Sequence, residues 1–162
     1  MSVNIKPGLY IVSTPIGNLG DITLRSLDVL RQSDIILCED TRVSSKLLAK
    51  HGIKNSLKIY NDKSDDSLRK LIKNLIIDGK VISLISDAGT PLISDPGYKL
   101  VRDLKDDNIH IDVMPGACAA ISALVLSGLP TDQFLFAGFL PKNDFGKEKL
   151  FKKYIDIEST MI

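Results

Sequence analysis

Short apolar runs and longer helical stripes alternate along most of this chain. Gly8–Val12 is an apolar run with the length of a buried strand, and it opens into a Pro/Gly loop at 13–20. The next stretch predicts a helix with Leu24, Leu27 and Leu30 on its inner side and Asp21 or Thr23 as its cap. Ile35–Cys38 is a second apolar run. It is followed by Glu39-Asp-Thr-Arg42 and a helix over about 43–51 that carries Leu47 and Leu48 and stops at Gly52. Leu57–Tyr60 reads as a short strand and 61–66 as a solvated polar loop. The clearest helix comes next: Leu68, Leu71, Ile72, Leu75 and Ile76 fall at i, i+3, i+4, i+7 and i+8, with Asp66 or Ser67 as cap and Gly79 as stop. Val81–Ile85 is another strand-like run, and after a long loop Tyr98–Leu104 reads as a helix. Ile109, Ile111 and Val113 alternate with His110 and Asp112, which predicts a strand with one well-buried face. Residues 115–123 turn into a small-residue helix ended by Gly128 and Pro130. Phe134–Leu140 is the last apolar run, 147–154 reads as a helix, and 160–162 as the start of a further strand.

Strands alternating with helices predict an α/β fold, a mostly parallel sheet with helices on both faces. The expected organisation is an N-terminal α/β domain over 1–140, with 141–162 as a linker and the start of a C-terminal domain. The strand-like ending leads us to expect a further piece, whether on this chain or another.

Composition narrows the functional classes. The chain has 162 residues, 44% hydrophobic and 25% charged, which suits one ordinary globular domain. A net charge of +1 excludes a strong non-specific grip on nucleic acid carried by overall charge. Cys38 and Cys118 lack C-x-x-C spacing, and His51 and His110 are isolated, so free thiols and no metal site are expected. No run of ~18 apolar residues and no signal-peptide pattern is present, which points to a cytoplasmic protein with no membrane partner.

The candidate chemistry lies in loops after strands. Parallel strands bring the loops 13–20, 86–97 and 115–120 to one edge of the sheet. Neither G-x-G-x-x-G nor G-x-x-x-x-G-K-[ST] occurs, which disfavours a dinucleotide dehydrogenase and a P-loop NTPase. The loop at 86–97 is held to few shapes by Pro91 and Pro96, while Gly89 and Gly97 allow positive φ or close approach of a ligand. At Glu39-Asp-Thr-Arg42, Arg42 can hold a phosphate and Glu39 or Asp40 can deprotonate a hydroxyl. The same residues also read as a helix cap by Asp40 with Glu39 paired to Arg42. Lys142, Lys147, Lys149, Lys152 and Lys153 form a basic segment that reads as a solvated face or as a phosphate contact. Tyr98 and Cys118 read as packing residues.

Taken in order, the motifs are Gly8-Leu-Tyr-Ile-Val-Ser-Thr-Pro-Ile-Gly-Asn-Leu-Gly-Asp-Ile-Thr23, Glu39-Asp-Thr-Arg42, Ser86-Asp-Ala-Gly-Thr-Pro-Leu-Ile-Ser-Asp-Pro-Gly97, Pro115-Gly-Ala-Cys-Ala-Ala-Ile121, Gly128-Leu-Pro-Thr-Asp-Gln-Phe134 and Gly138-Phe-Leu-Pro141. Together they resemble the small-subunit ribosomal RNA methyltransferase I family of the tetrapyrrole methylase superfamily. The resemblance implies the N-terminal domain of a tetrapyrrole methylase. The implied reaction is S-adenosylmethionine-dependent methylation of a cytidine ribose 2′-hydroxyl in 16S rRNA, by a two-domain homodimer. The family's donor site falls on Pro15, Ile16 and Gly17; on Asp87, Ala88, Gly89, Pro91, Leu92, Ile93, Ser94, Asp95, Pro96 and Gly97; and on Pro115, Gly116, Ala119 and Ala120. Asp40 or Glu39 would handle the hydroxyl proton and Arg42 would meet RNA phosphate. The near-neutral charge points to an assembled small ribosomal subunit as the partner in preference to naked RNA. The sequence departs from the family pattern at 61–65, where Asn61 and Lys63 stand at histidine-like positions, and in length, since family members are about twice as long. A porphyrinoid methylase, and a non-catalytic RNA-binding or dimerisation module, are the alternative readings.

Overall fold

A computed structural model of the protein describes residues 5–61 and 66–162. Most of the polar cluster at 61–66 therefore lies outside the described residues. The chain divides into two compact units, Met1–Cys118 and Ala119–Ile162.

The first unit is built from the predicted runs. Five strands, β1 (Gly8–Val12), β2 (Ile35–Cys38), β3 (Ser56–Ile59), β4 (Val81–Leu84) and β5 (Ile111–Met114), form one sheet in the order β3-β2-β4-β1-β5. Every pairing is parallel. Four helices connect them: α1 (Leu24–Gln32), α2 (Thr41–Lys50), α3 (Asp66–Ile77) and α4 (Tyr98–Asp106). Successive residues of a strand face opposite sides of the sheet, and the core divides accordingly. Tyr10, Val12, Ile36 and Cys38 pack with Leu27 and Leu30 of α1 and Leu48 of α2. Leu9, Ile11, Leu37, Ile82 and Leu84 pack with Ile72 and Ile76 of α3 and Leu100 and Leu104 of α4. Helices thus cover both faces, as the sequence predicts. The reason is directional: β1 and β2 connect one way along the sheet, β3 and β4 connect back, and crossovers of one hand then place their helices on opposite faces.

Local signals set the helix ends. Thr23, not Asp21, caps α1 by accepting from the Ser26 N–H at 3.0 Å. In β4 every residue is buried, including Ser83, whose hydroxyl meets that of Ser33 at 2.6 Å. The pair lets two polar groups sit on an otherwise apolar face. β5 lies at one edge of the sheet, with Val113 47% exposed and Met114 buried. Tyr98 departs from its expected packing role. It is 62% exposed as the first residue of α4, with the Arg102 guanidinium 5.8 Å from its ring centroid.

The second unit contains α5 (Ala119–Leu126), β6 (Phe134–Leu135), α6 (Asp144–Tyr154) and β7 (Thr160–Met161), with β6 and β7 parallel. The apolar run at 134–140 supplies only a two-residue strand, because Gly138 turns the chain at φ 78° and Pro141 follows without an N–H. α6 begins three residues earlier than 147, where the Asn143 side chain accepts from the Gly146 N–H at 2.7 Å.

Candidate functional site

β4, β1 and β5 are neighbours in the sheet, so their carboxyl ends place the loops 86–97, 13–20 and 115–118 side by side. β1 connects toward β2 and β4 toward β5. Loops that leave neighbouring strands in opposite directions open a crevice at the sheet edge. The loops are then locked by hydrogen bonds. Thr14 and Gly89 form an antiparallel bridge, with N–H···O distances of 2.9 and 3.1 Å. The Thr14 hydroxyl donates to the Ser86 carbonyl at 3.1 Å, and the Thr90 hydroxyl donates to the Ala117 carbonyl at 3.0 Å. Since that donation uses the Thr90 hydrogen, the Ser13 hydroxyl, 3.0 Å away, donates to Thr90. One chain of hydroxyls therefore runs from the β1 loop through the β4 loop to the β5 loop. Gly116 allows a close approach: a Cβ there would stand 2.8 Å from the Ser13 Cβ.

The loop at 86–97 is strained as well as rigid. Leu92 and Ser94 have φ of 72° and 62°, left-handed values that cost a side-chain-bearing residue energy and cluster at functional sites. Gly97, at φ 133°, faces the Leu84 side chain. Pro91 and Gly89 are buried, whereas Asp87, Ala88, Ile93 and Ser94 are exposed. Asp95 and Pro96 are half-buried. Burial raises the Asp95 carboxyl above its ordinary value; the Ser86 hydroxyl beside it opposes this and the Asp87 charge adds to it. In the β1 loop Pro15 is buried, and Ile16 and Gly17 are exposed.

A fourth loop joins from β2. The Asp40 N–H donates to the Asp87 carboxylate at 3.1 Å. Asp40 also caps α2, accepting from the Arg42 N–H at 2.8 Å, and grips the Arg42 guanidinium through Nη2 at 2.6 Å and Nε at 3.1 Å. The cap and the ion pair therefore come from the same residue, and Arg42 pairs with Asp40, not Glu39. Arg42 keeps 87% of its side chain exposed. Its grip holds the Asp40 carboxyl down at about 2. Glu39 is the half-buried residue between Cys38 and Asp40.

Of the residues singled out in the sequence, those on the β1, β2, β4 and β5 loops stand at one sheet edge. Pro115 and Gly116 are exposed there, while Ala119 and Ala120 open α5 in the second unit. The sequence reading missed the hydroxyls that join the loops. Ser13, Thr14 and Ser86 are 3%, 1% and 3% exposed. Their signal is a Ser or Thr placed directly after an apolar strand run, at Val12-Ser-Thr14 and Ile85-Ser86.

A model of the tetrapyrrole (corrin/porphyrin) methylases matches residues 8–162. The chain belongs to the tetrapyrrole methylase family. Within this family it is similar to the ribosomal RNA small subunit methyltransferase I of Rickettsia prowazekii, 62% identical over 98% of this chain and 56% of that protein. The protein of the same name from Mesorhizobium japonicum is 50% identical over 85% of this chain and 47% of the relative. The chain thus spans about half the length of the curated relatives it matches. Among solved structures, uroporphyrin-III-C-methyltransferase from Thermus thermophilus superposes with a TM-score of 0.61 at 26% identity, covering 85% of this chain and 66% of that one. A cobalt precorrin-4 methyltransferase gives 0.64 at 22% identity over 90% and 64% of the two chains, a likeness of fold.

Proposed function

We propose that this tetrapyrrole methylase chain carries the donor-binding loops of a ribosomal RNA methyltransferase, with S-adenosylmethionine as donor and a cytidine ribose 2′-hydroxyl of 16S rRNA as acceptor. The observation that carries the reading is the joining of the 13–20, 86–97 and 115–118 loops at adjoining strand ends. Their chemistry suits the donor. The three loops hold the carboxylates of Asp87 and Asp95 and no lysine or arginine, a set that favours a cationic ligand over a phosphate. When bound, S-adenosylmethionine supplies a methyl carbon activated by its sulfonium. Residues Pro15 to Gly17, Asp87 to Gly97 and Pro115 to Gly116 would hold it. Ala119 and Ala120 complete the set that the family resemblance assigns.

The chain's own part is orientation and proton handling. Loops locked by hydroxyls and strained into one shape hold their backbone groups in place before the ligand arrives, and such positioning is worth ~7–11 kcal/mol of barrier. Arg42, exposed and braced by Asp40, is placed to meet an RNA phosphate. An acid held at about 2 is a weak proton acceptor near neutrality. The reading therefore gives the ribose proton to Glu39 and the bracing of Arg42 to Asp40. The rRNA substrate is supported by relatives at 62% and 50% identity named for it, against 26% and 22% for the two solved tetrapyrrole methylases. The family resemblance also supports a homodimer. The net charge of +1 favours a preformed RNA–protein surface, the assembled small subunit, as partner.

Titration calorimetry with S-adenosylmethionine tests the donor site apart from turnover. Saturable binding is expected, and no heat from a folded chain overturns the reading. Transfer of labelled methyl groups is then compared on isolated 16S rRNA and on assembled subunits. Faster labelling of the subunits, at a ribose, is the expected result.

A further inference from the structure

Helix α6 belongs to the second unit and carries one face of exposed residues. Helical spacing puts Phe145, Glu148, Lys149, Lys152 and Lys153 on that face. All five are exposed, while Gly146, Lys147, Leu150 and Tyr154 on the opposite side are half-buried. Phe145 is 78% exposed. Lys152 is paired with Glu148 at 2.6 Å, and Lys153 lies over the Tyr154 ring at 4.8 Å. Lys149 has no ion pair among the described residues. Lysines in a last helical turn complement the helix dipole, which accounts for Lys152 and Lys153. It does not account for Lys149 in mid-helix or for a solvated phenylalanine in the first turn.

We propose that this face of α6 is a contact surface for single-stranded RNA, with Phe145 stacking on a base and Lys149, Lys152 and Lys153 meeting phosphates. The proposal rests on the reading of the chain as an rRNA methyltransferase and says where on the second unit the substrate is gripped. An aromatic ring followed by cations one and two turns further along, at ~5.4 Å per turn, combines the two elements by which proteins hold unpaired nucleic acid. Charge decides between this occupant and a second copy of the chain. Three lysines against one glutamate leave the face cationic. A two-fold contact would set it against itself, whereas a polyanion complements it.

The test is fluorescence anisotropy of a short labelled oligocytidylate RNA, titrated with the full chain at salt from about 50 to about 200 mM. Lys149→Ala/Lys153→Ala is expected to weaken binding about tenfold and to lower the log–log salt slope by about 1.4. Phe145→Ala is expected to weaken binding about tenfold with the slope unchanged. The exposed pair Lys99→Ala/Lys105→Ala on α4 is the control and should change neither. Circular dichroism confirms that each variant is folded. If the unaltered chain binds the RNA and the α6 variants bind equally well, the proposal falls and the rRNA reading stands. If the unaltered chain does not bind the oligonucleotide, the proposal falls, while the rRNA reading stands or falls separately on methyl transfer to assembled subunits. If Phe145→Ala alters sedimentation and leaves RNA binding intact, the face is a protein contact and the proposal is overturned.

Discussion

Asp40 shows how much one residue decides at this site. It closes the first turn of α2, fixes the direction of Arg42, and through its N–H ties the β2 loop to Asp87. The cause of its low titration is first the Arg42 side chain and then the Arg42 backbone N–H. Its folded value lies below the ordinary ~3.9, so the stabilisation it brings is full above that value and is lost as pH falls through about 2. In Arg42→Ala the guanidinium is gone and the backbone N–H remains. The Asp40 carboxyl is then expected to titrate above about 2, still below its unfolded value, as read by carbon-detected NMR. An unchanged midpoint would show that Arg42 is not the main cause. At this scale residue types and spacing named the candidates and offered each more than one role. Their structural reading paired Arg42 with Glu39 and left Asp40 as the cap, because both acids stand within reach in the chain and only side-chain geometry separates them.

At the scale of elements, the 86–97 loop is the informative case. Its glycines and prolines marked it as a constrained segment, and Gly97 is where the constraint is sharpest. An alanine there would need φ 133° and would put its Cβ 2.8 Å from Leu84 Cδ2 and 2.9 Å from Leu92 Cδ1. Gly97→Ala is expected to cost about 2–3 kcal/mol of stability in urea unfolding, from backbone strain and overpacking. Gly17→Ala, where nothing lies within 4 Å of the new Cβ, should cost far less. Equal costs would refute the strain argument. The strands were legible because short apolar runs mark strands buried on both faces, and the helices because apolar residues at period 3.6 mark one buried face. The left-handed Leu92 and Ser94 were not, because no residue-type rule marks a leucine or serine for positive φ. Phe134–Leu140 has the composition of a strand, yet Gly138 and Pro141 cut it to two residues.

For the whole molecule, the carboxylates set the acid limb of stability. Asp34, Asp40 and Asp103 all titrate below their ordinary values, held respectively by the Val81 N–H, by Arg42 and by Arg69. The folded chain therefore binds fewer protons at these sites than the unfolded chain, and stability falls as pH drops below about 4 toward the lowered values. Asp95 works the other way. Its raised value makes its contribution present below the ordinary value and lost as pH rises through the raised one. The urea midpoint is expected to climb from about pH 3 to about pH 5. A flat profile would count against the three lowered groups.

The sequence by itself determined the alternation of strands and helices, the parallel α/β class, the loops that follow the strands, and the motif order that marks the family. It could do so because hydrophobic period and turn chemistry are local. Only the tertiary structure decided that β4 lies between β2 and β1. It also decided that Ser13, Thr90 and Ala117 lock three loops into one edge, and that Asp40 rather than Glu39 holds Arg42. The first two depend on pairings between segments up to 77 residues apart, which no local pattern encodes; the third depends on which of two adjacent carboxylates the side-chain geometry brings to the guanidinium.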